Sequence, residues 1–459
     1  MHIGKVNVLV RGLCALALIG CAPSYRELRA PVDAEVVRRL GPTFDARSKP
    51  KLDDLLANPI DAATASKIAV INSPRLAAAF DELGIAGGAV ASSIGLGPTE
   101  IHGSYRFGET TELELDVVQN LIGLIGGGSR RAAAQAELAS ARASAAAATI
   151  RLVTSVEIAF TDLLAAQQQL ALRQTAFDAA DAAATVRERM HDAGNTTDLA
   201  RARDREAREQ ARIALDRQTA VVQARREALN ALLGLTGPQT SWQASGKLRA
   251  LPAAPPALDK LEVTAITASL DLAGGRARVA RTQHHARNEW IRTFVPELGV
   301  GVSVHGDTDH YSIGPVVELG IPLLDWRSGE RAAANAAHRK ARHELAAAAI
   351  ELGAAARAAR VTALAAYHEA QRIQATVLPL RQEIYDETLK HYNAMDANQF
   401  SLLMASRELV DGHQQHIDAL RRYWVAMAEV TALERGVMLE PTNAHQTEAA
   451  QPSSRADAH

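Results

Sequence analysis

Between Val295 and Arg331 the chain reads VPELGVGVSVHGDTDHYSIGPVVELGIPLLDWRSGER, two alternating runs about a short polar turn that lead into a very long alanine-rich stretch. Successive side chains of a strand point to opposite faces, so Leu298, Val300, Val302 and Val304 share one side, and Gly299, Gly301, Ser303 and His305 the other. After the turn at Gly306 to His310, Tyr311, Ile313, Pro315, Val317, Leu319 and Ile321 resume the apolar side, with Ser312, Gly314, Val316, Glu318 and Gly320 opposite. The pattern predicts a hairpin with one greasy face. Each run has the roughly ten residues that a tilted strand needs to cross a bilayer. A half-buried hairpin of a soluble sheet is the alternative. Pro315 cannot donate a ladder hydrogen bond, which in a closed barrel calls for a bulge or a strand end.

The N-terminus favours the membrane. Lys5 and Arg11 lead into LCALALIG, a secretory signal peptide over 1–20 that is too short to span as a mature helix. Its closing Leu18-Ile19-Gly20-Cys21 resembles a bacterial lipoprotein box, which implies that Cys21 becomes the lipid-modified first residue of the mature chain. Ala22 is next, where Asp would imply retention at the inner membrane. An ordinary signal peptide with an incidental cysteine is the alternative. Cys14 lies in the segment to be removed, so the mature chain can form no internal disulfide.

The 459 residues are only 4% aromatic and rich in alanine, which suits long, closely packed helices better than several globular cores. A net charge of -2 with mixed signs gives no basic footprint and argues against nucleic acid. The segment 21–61, with scattered prolines and little periodicity, reads as an extended lipid-anchored tether. A helix over Ser66 to Leu83 breaks at Asn72-Ser73 and restarts at Pro74. A second hairpin occupies 98–119, where Ile101, Gly103, Tyr105 and Phe107, then Leu113, Leu115 and Val117, alternate with polar residues.

The stretches C-terminal to the two hairpins are alike. Arg131-Ala132-Ala133-Ala134-Gln135 recurs as Arg331-Ala332-Ala333-Ala334-Asn335, Val156 to Phe160 matches Ala363 to Tyr367, and Asp198-Leu199 with Ala202 matches Ser401-Leu402 with Ala405. The offsets are 200, 207 and 203, so an internal duplication carries a heptad insertion and a later stutter of four. The organisation expected is a first repeat over 62–237 with long helices 129–191 and 197–234, a linker over 238–257, and a second repeat over 258–439. That repeat holds hairpin 296–322 and helices 328–392 and 401–439, and a disordered tail occupies 440–459. The longer helices would reach about 90 Å. Pro379 should kink the second. The helix breaks are HDAGNTT, where Gly194 and Asn195 supply a left-handed turn and Thr196 or Thr197 a cap, and MDANQFS, with Asn398 as turn former.

With these elements in order, the chain resembles the TolC family of outer-membrane efflux channels, in its lipoprotein branch, from Ser66 to about Leu439. The resemblance rests on Asn72-Ser73-Pro74-Arg75-Leu76, IPLLDWRSGER at Ile321 to Arg331, and Ala193-Gly194 with Asp198-Leu199 and Ala202. Tyr392-Asn393-Ala394-Met395 and Leu232-Leu233-Gly234-Leu235 complete it. It implies a mainly α protein with a membrane β-barrel part. In a homotrimer each subunit would give four strands to a twelve-stranded barrel, continued into the periplasm by an antiparallel coiled-coil tunnel. It also implies a passive export duct in the outer membrane, worked by a periplasmic adaptor and an inner-membrane transporter. Physics agrees with an oligomer, since four strands alone leave open edges in lipid.

No catalytic triad, phosphate loop, cofactor motif or zinc motif stands out, so the sequence suggests no enzyme. Function should lie in pore lining and gating. If the apolar faces meet lipid, Glu112, Glu114, Asp116 and Glu318 line the lumen and threefold symmetry makes acidic rings of them, favouring cations; a merely solvated face is the alternative. Gly194, Asn195, Asp198, Asn398, Ser401 and Met404 would form the periplasmic tip and gate. Ser401 and Met404 stand where some family members carry constriction aspartates, which leaves closure to hydrogen bonds and packing; helix capping by Asp198 and Ser401 is the plainer reading. His413 with His416, and His284-His285, lack a completing ligand set, so no metal site is assigned. A periplasmic coiled-coil adaptor or structural lipoprotein would explain the signal and helices, but not two matched hairpins.

Overall fold

A computed structural model describes residues 24–44, 51–93, 99–106, 112–294, 297–306, 311–320 and 326–439. The signal peptide, Cys21, both hairpin turns, the segment 321–325 and the tail from 440 lie outside them. The chain divides into two compact units, the first of Met1–Ala46, Pro74–Ala148 and Leu270–Glu351, the second of Arg47–Ser73, Thr149–Ser269 and Leu352–His459.

The first unit begins with a correction. Where scattered prolines suggested an extended tether, Tyr25–Leu40 forms a helix, α1. Ser24 and Glu27 close its first turn as a capping box, each side chain bonding the other's backbone N–H. Leu28, Val32 and Val36, four apart, then supply a buried stripe, and this burial outweighs the backbone bond lost at Pro31. The stripe packs on the helix Pro74–Ser92, where Phe80, Leu83 and Ala86 are buried and the Arg29 guanidinium lies 4.2 Å above the Phe80 ring. Gly87 leaves the notch into which Leu28 fits.

Strands β1 (Thr99–Arg106), β2 (Glu112–Asn120), β3 (Glu297–Gly306) and β4 (Tyr311–Gly320) form one antiparallel sheet in chain order. Pro315 sits within β4 with its β3 register unbroken, opposite Val302, instead of at a strand end; β4 is an edge of this sheet, where a missing N–H can face outward. The glycines of β3 have a packing cause. A Cβ at Gly299 would lie 2.7 Å from Val118 Cγ1 and 3.2 Å from Glu318 Oε2, and one at Gly301 would strike the Val117 carbonyl.

The long helix after β2 spans Ile122–Asp192, so it starts before Ser129 and runs through Gly126 to Gly128. Those glycines permit close approach and do not break the helix: a Cβ at Gly126 would lie 2.6 Å from Asn288 Oδ1 on the helix Leu270–Phe294. Gly275 of that helix likewise faces Leu345, on the helix Ser328–Arg372.

In the second unit, Ile60, Ile68, Val156, Phe160, Leu163, Leu229, Leu233 and Trp242 build one core. Asn72 Nδ2 donates to the carbonyls of Leu233 and Gly234, closing the end of the helix Asp198–Leu233, whose last turn is ended by Gly234 at φ 68°. Segment 241–260 runs through this unit outside any helix or strand, save the isolated bridge between Ala244 and Ile60. Ile60 donates to Gln243 O, Trp242 Nε1 donates to Asn230 Oδ1, and Tyr367 Oη donates to Pro252 O. Tyr367, the counterpart of Phe160 in the second repeat, packs edge-on to Tyr423 at 5.8 Å. The kink expected at Pro379 takes the form of a π-helical turn, Ile373–Val377, just ahead of the helix Leu378–Asn393. The wider turn makes room for a proline ring that would otherwise meet the carbonyl four residues back.

Candidate functional site

Register decides what the sheet presents. Glu112, Glu114, Asp116 and Val118 pair with Arg106, Ser104, His102 and Glu100 of β1; Glu114 and Asp116 pair with His305 and Ser303 of β3; and Glu318 pairs with Gly299, itself opposite Asn120. Cross-strand partners share a face, so all four acids named from the sequence lie on one side. On the other side Ile101, Tyr105, Leu113, Leu115, Val117, Val300, Val302, Tyr311, Ile313, Val317 and Leu319 are exposed, and Leu298 and Val304 half-buried.

The polar face is not purely acidic. Arg106 lies 3.8 Å from Glu112, His305 Nδ1 lies 3.6 Å from Glu114 Oε1, His102 Nε2 lies 3.3 Å from Glu100 Oε2, and Ser104 Oγ donates to Glu114 Oε2 at 3.3 Å. Asp116 Oδ1 is buried without a hydrogen-bond partner among the described residues. The sequence reading missed these bases. Their signal was the alternation of Glu100, His102, Ser104 and Arg106, but only register sets them against the acids.

At the first helix turn, Gly194 adopts φ 75°, its N–H donates to His191 O, and the Asn195 N–H donates to Met190 O. Thr197 caps the next helix by accepting from the Ala200 N–H. Asp198 is therefore not the cap. Its Oδ1 lies 3.0 Å from both His191 Nε2 and an Arg201 nitrogen, while Arg187 and Asp204, both largely buried, pair at 2.7 Å. At the second turn, where Asn398 was expected as turn former, the left-handed residue lies three positions earlier. Met395 takes φ 63°, and Asn398 caps the helix Gln399–Glu434. Ser401 is the capped partner, its N–H and Oγ both donating to Asn398 Oδ1 at 2.9 and 3.1 Å. Tyr392, Met395, Phe400, Leu403 and Met404 leave this turn with an exposed apolar surface, against the charged latch of the first.

Among the described residues no three histidine, cysteine or carboxylate side chains gather where they could hold a metal ion. His416 is half-buried, its Nδ1 has no partner among the described residues, and burial, with the nearby His413 as a smaller cause, holds its imidazole pKa below the usual value.

A two-faced four-strand sheet and long paired helices in a duplicated chain give the fold that solved outer-membrane channels share. No family model matches the chain. A curated relative, the cobalt-zinc-cadmium resistance protein CzcC of Cupriavidus metallidurans, is 28% identical over 302 residues, covering 65% of this chain and 70% of its own. Among solved structures, the outer membrane protein VceC of Vibrio cholerae superposes with a TM-score of 0.68 at 14% identity, over 82% of this chain and 97% of VceC. The outer membrane channel CmeC of Campylobacter jejuni gives 0.70 at 13%, over 84% and 88%. A membrane protein from Pseudomonas aeruginosa gives 0.70 at 17%, over 82% and 90%.

Proposed function

We propose that the chain is one subunit of a homotrimeric export duct, the outer-membrane component of a tripartite efflux system that also needs a periplasmic adaptor and an inner-membrane transporter. The observation that carries this reading is the sheet. One face is apolar and exposed, and β1 and β4 form edges with no partner strand among the described residues. In hydrocarbon such edges leave backbone groups unpaired, and further copies of the sheet would close them into a barrel. A periplasmic adaptor has no use for a sheet of this kind.

In this reading Glu112, Glu114, Asp116 and Glu318 line the lumen, softened by Arg106, and bias it toward cations. Gly194, Asn195, Asp198, Asn398, Ser401 and Met404 belong to the tip that opens on docking, and Cys21 carries the lipid anchor. CzcC is named for cobalt, zinc and cadmium resistance, and a metal cation is the cargo this likeness suggests.

The test is planar-bilayer conductance of the detergent-solubilised protein beside its oligomer mass. A trimer with stepwise, cation-leaning conductance, weakened in preference by Glu318→Gln, is the expected result. A monomer that never conducts would sink the duct.

A further inference from the structure

Two of the four tryptophans are in covered places: Trp242 is buried, and Trp424 packs on Tyr423 and donates its Nε1–H to Arg249 O. The other two, Trp290 and Trp326, are 57% and 55% exposed. Both belong to the same end of the second hairpin. Glu297 pairs with Gly320, and Trp290 precedes and Trp326 succeeds that pair by six or seven residues.

Trp290 is part of a longer pattern. Gln283, Arg287, Trp290 and Phe294, spaced four, three and four along the helix Leu270–Phe294, are all exposed and share one helix face. Toward the strand the stripe runs polar, cationic, amphipathic and apolar, with Arg287 about 4.5 Å before Trp290 and Phe294 about 6 Å beyond it along the axis. The Trp290 and Phe294 rings meet edge-on at 5.0 Å. Arg287 makes no ion pair with another described residue, whereas Arg292 and Arg327 both hold Glu289.

The far end of the sheet carries a matching mark. Tyr105, Leu113, Gly306 and Tyr311 form one cross-strand row, and both tyrosines are exposed on the apolar face. Strand β3 spans ten residues between the two ends. At about 3.4 Å per residue and a tilt of about 40° this is a height of about 25 Å, that of the apolar band aromatic girdles flank in outer-membrane barrels.

We propose that Arg287, Trp290, Phe294 and Trp326 seat the phospholipid headgroups of the periplasm-facing leaflet. This rests on the reading of the sheet as barrel wall. Phe294 enters the acyl region, the indoles lie at the polar boundary where their N–H groups meet ester oxygens, and the Arg287 guanidinium forks a lipid phosphate. Exposed indoles, and an arginine with no ion pair among the described residues, at the end of a sheet whose apolar face is exposed, fit a surface that is greasy on one side of a plane and anionic on the other.

The full-length protein, reconstituted in phosphatidylcholine vesicles brominated at shallow or deep acyl positions, reports this through tryptophan fluorescence. Wild-type emission should be quenched at least about twofold more than that of W290F/W326F, which keeps Trp242 and Trp424, and shallow bromines should quench better than deep ones. The single variants W290F and W326F should each lose part of the effect. With brominated phosphatidylglycerol as a minor component, quenching should exceed its mole fraction by about fivefold in the wild type and lose that excess in Arg287→Gln. Vesicle-bound protein whose quenching is the same with and without Trp290 and Trp326 would overturn this inference alone. Protein that never enters the vesicles would overturn the duct reading beneath it as well.

Discussion

Substituting Gly87 by alanine examines how the N-terminal helix is held. A methyl there would lie 3.0 Å from Leu28 Cδ2 and nearer still to Cδ1, so the leucine has to leave its notch. Leu28 is only 5% exposed, and overpacking of this kind costs about 1–3 kcal/mol. Exchanging a mid-helix glycine for alanine returns about 0.5–1 kcal/mol, and the clashing atoms are the free end of a side chain, so the net loss should be about 1 kcal/mol. Leu28→Ala alone should cost about 2–4 kcal/mol, because it leaves a cavity beside Gly87. In the double variant the methyl at position 87 moves into the vacated space. The clash disappears, the cavity shrinks, and the protein should be more stable than Leu28→Ala alone by about 1 kcal/mol. Thermal midpoints of the solubilised protein, with the rate of limited proteolysis within Tyr25–Leu40, measure this. Simple addition of the two losses would refute the packing described.

Asn398→Ala should destabilise the second helix turn by about 1 kcal/mol while Ser401→Ala changes little, and the reverse order in thermal melts would return the cap to Ser401. Asn230→Ala strands the buried Trp242 N–H and should cost about 1–3 kcal/mol; a double-mutant cycle with W242F should show coupling, and its absence would deny the bond. Because burial lowers the folded-state pKa of His416, the unfolded chain takes up its proton first as pH falls. The associated stability is full above the usual value of 6.5 and is lost as pH falls through the lower folded-state pKa, so His416→Gln should flatten the dependence of melting temperature between pH 8 and 5.

The hairpins were legible because a two-residue period over ten residues has few other meanings, and Gly299 and Gly301 only add the close contacts behind the pattern. The N-terminal helix was hidden by Pro23, Pro31 and Pro42, which drew the reading away from the Ser24-x-x-Glu27 cap and the Leu28, Val32, Val36 stripe. Asn398 was read only as a turn former for a different reason: asparagine suits both a turn and a cap, and only backbone geometry separates them. The four acids were visible as a face, whereas Arg106, His102 and His305 become their neighbours only through cross-strand register, which no local pattern encodes.

The unpaired margins of β1 and β4 also bear on inheritance. In the proposed trimer every copy completes its neighbours, so a subunit that folds but seals badly spoils the assemblies it joins. Where normal and defective alleles are expressed equally and mix at random, only about one assembly in eight is wholly normal. Defects confined to these two margins should therefore be dominant, while defects that prevent folding, and so keep the subunit out of the assembly, should be recessive.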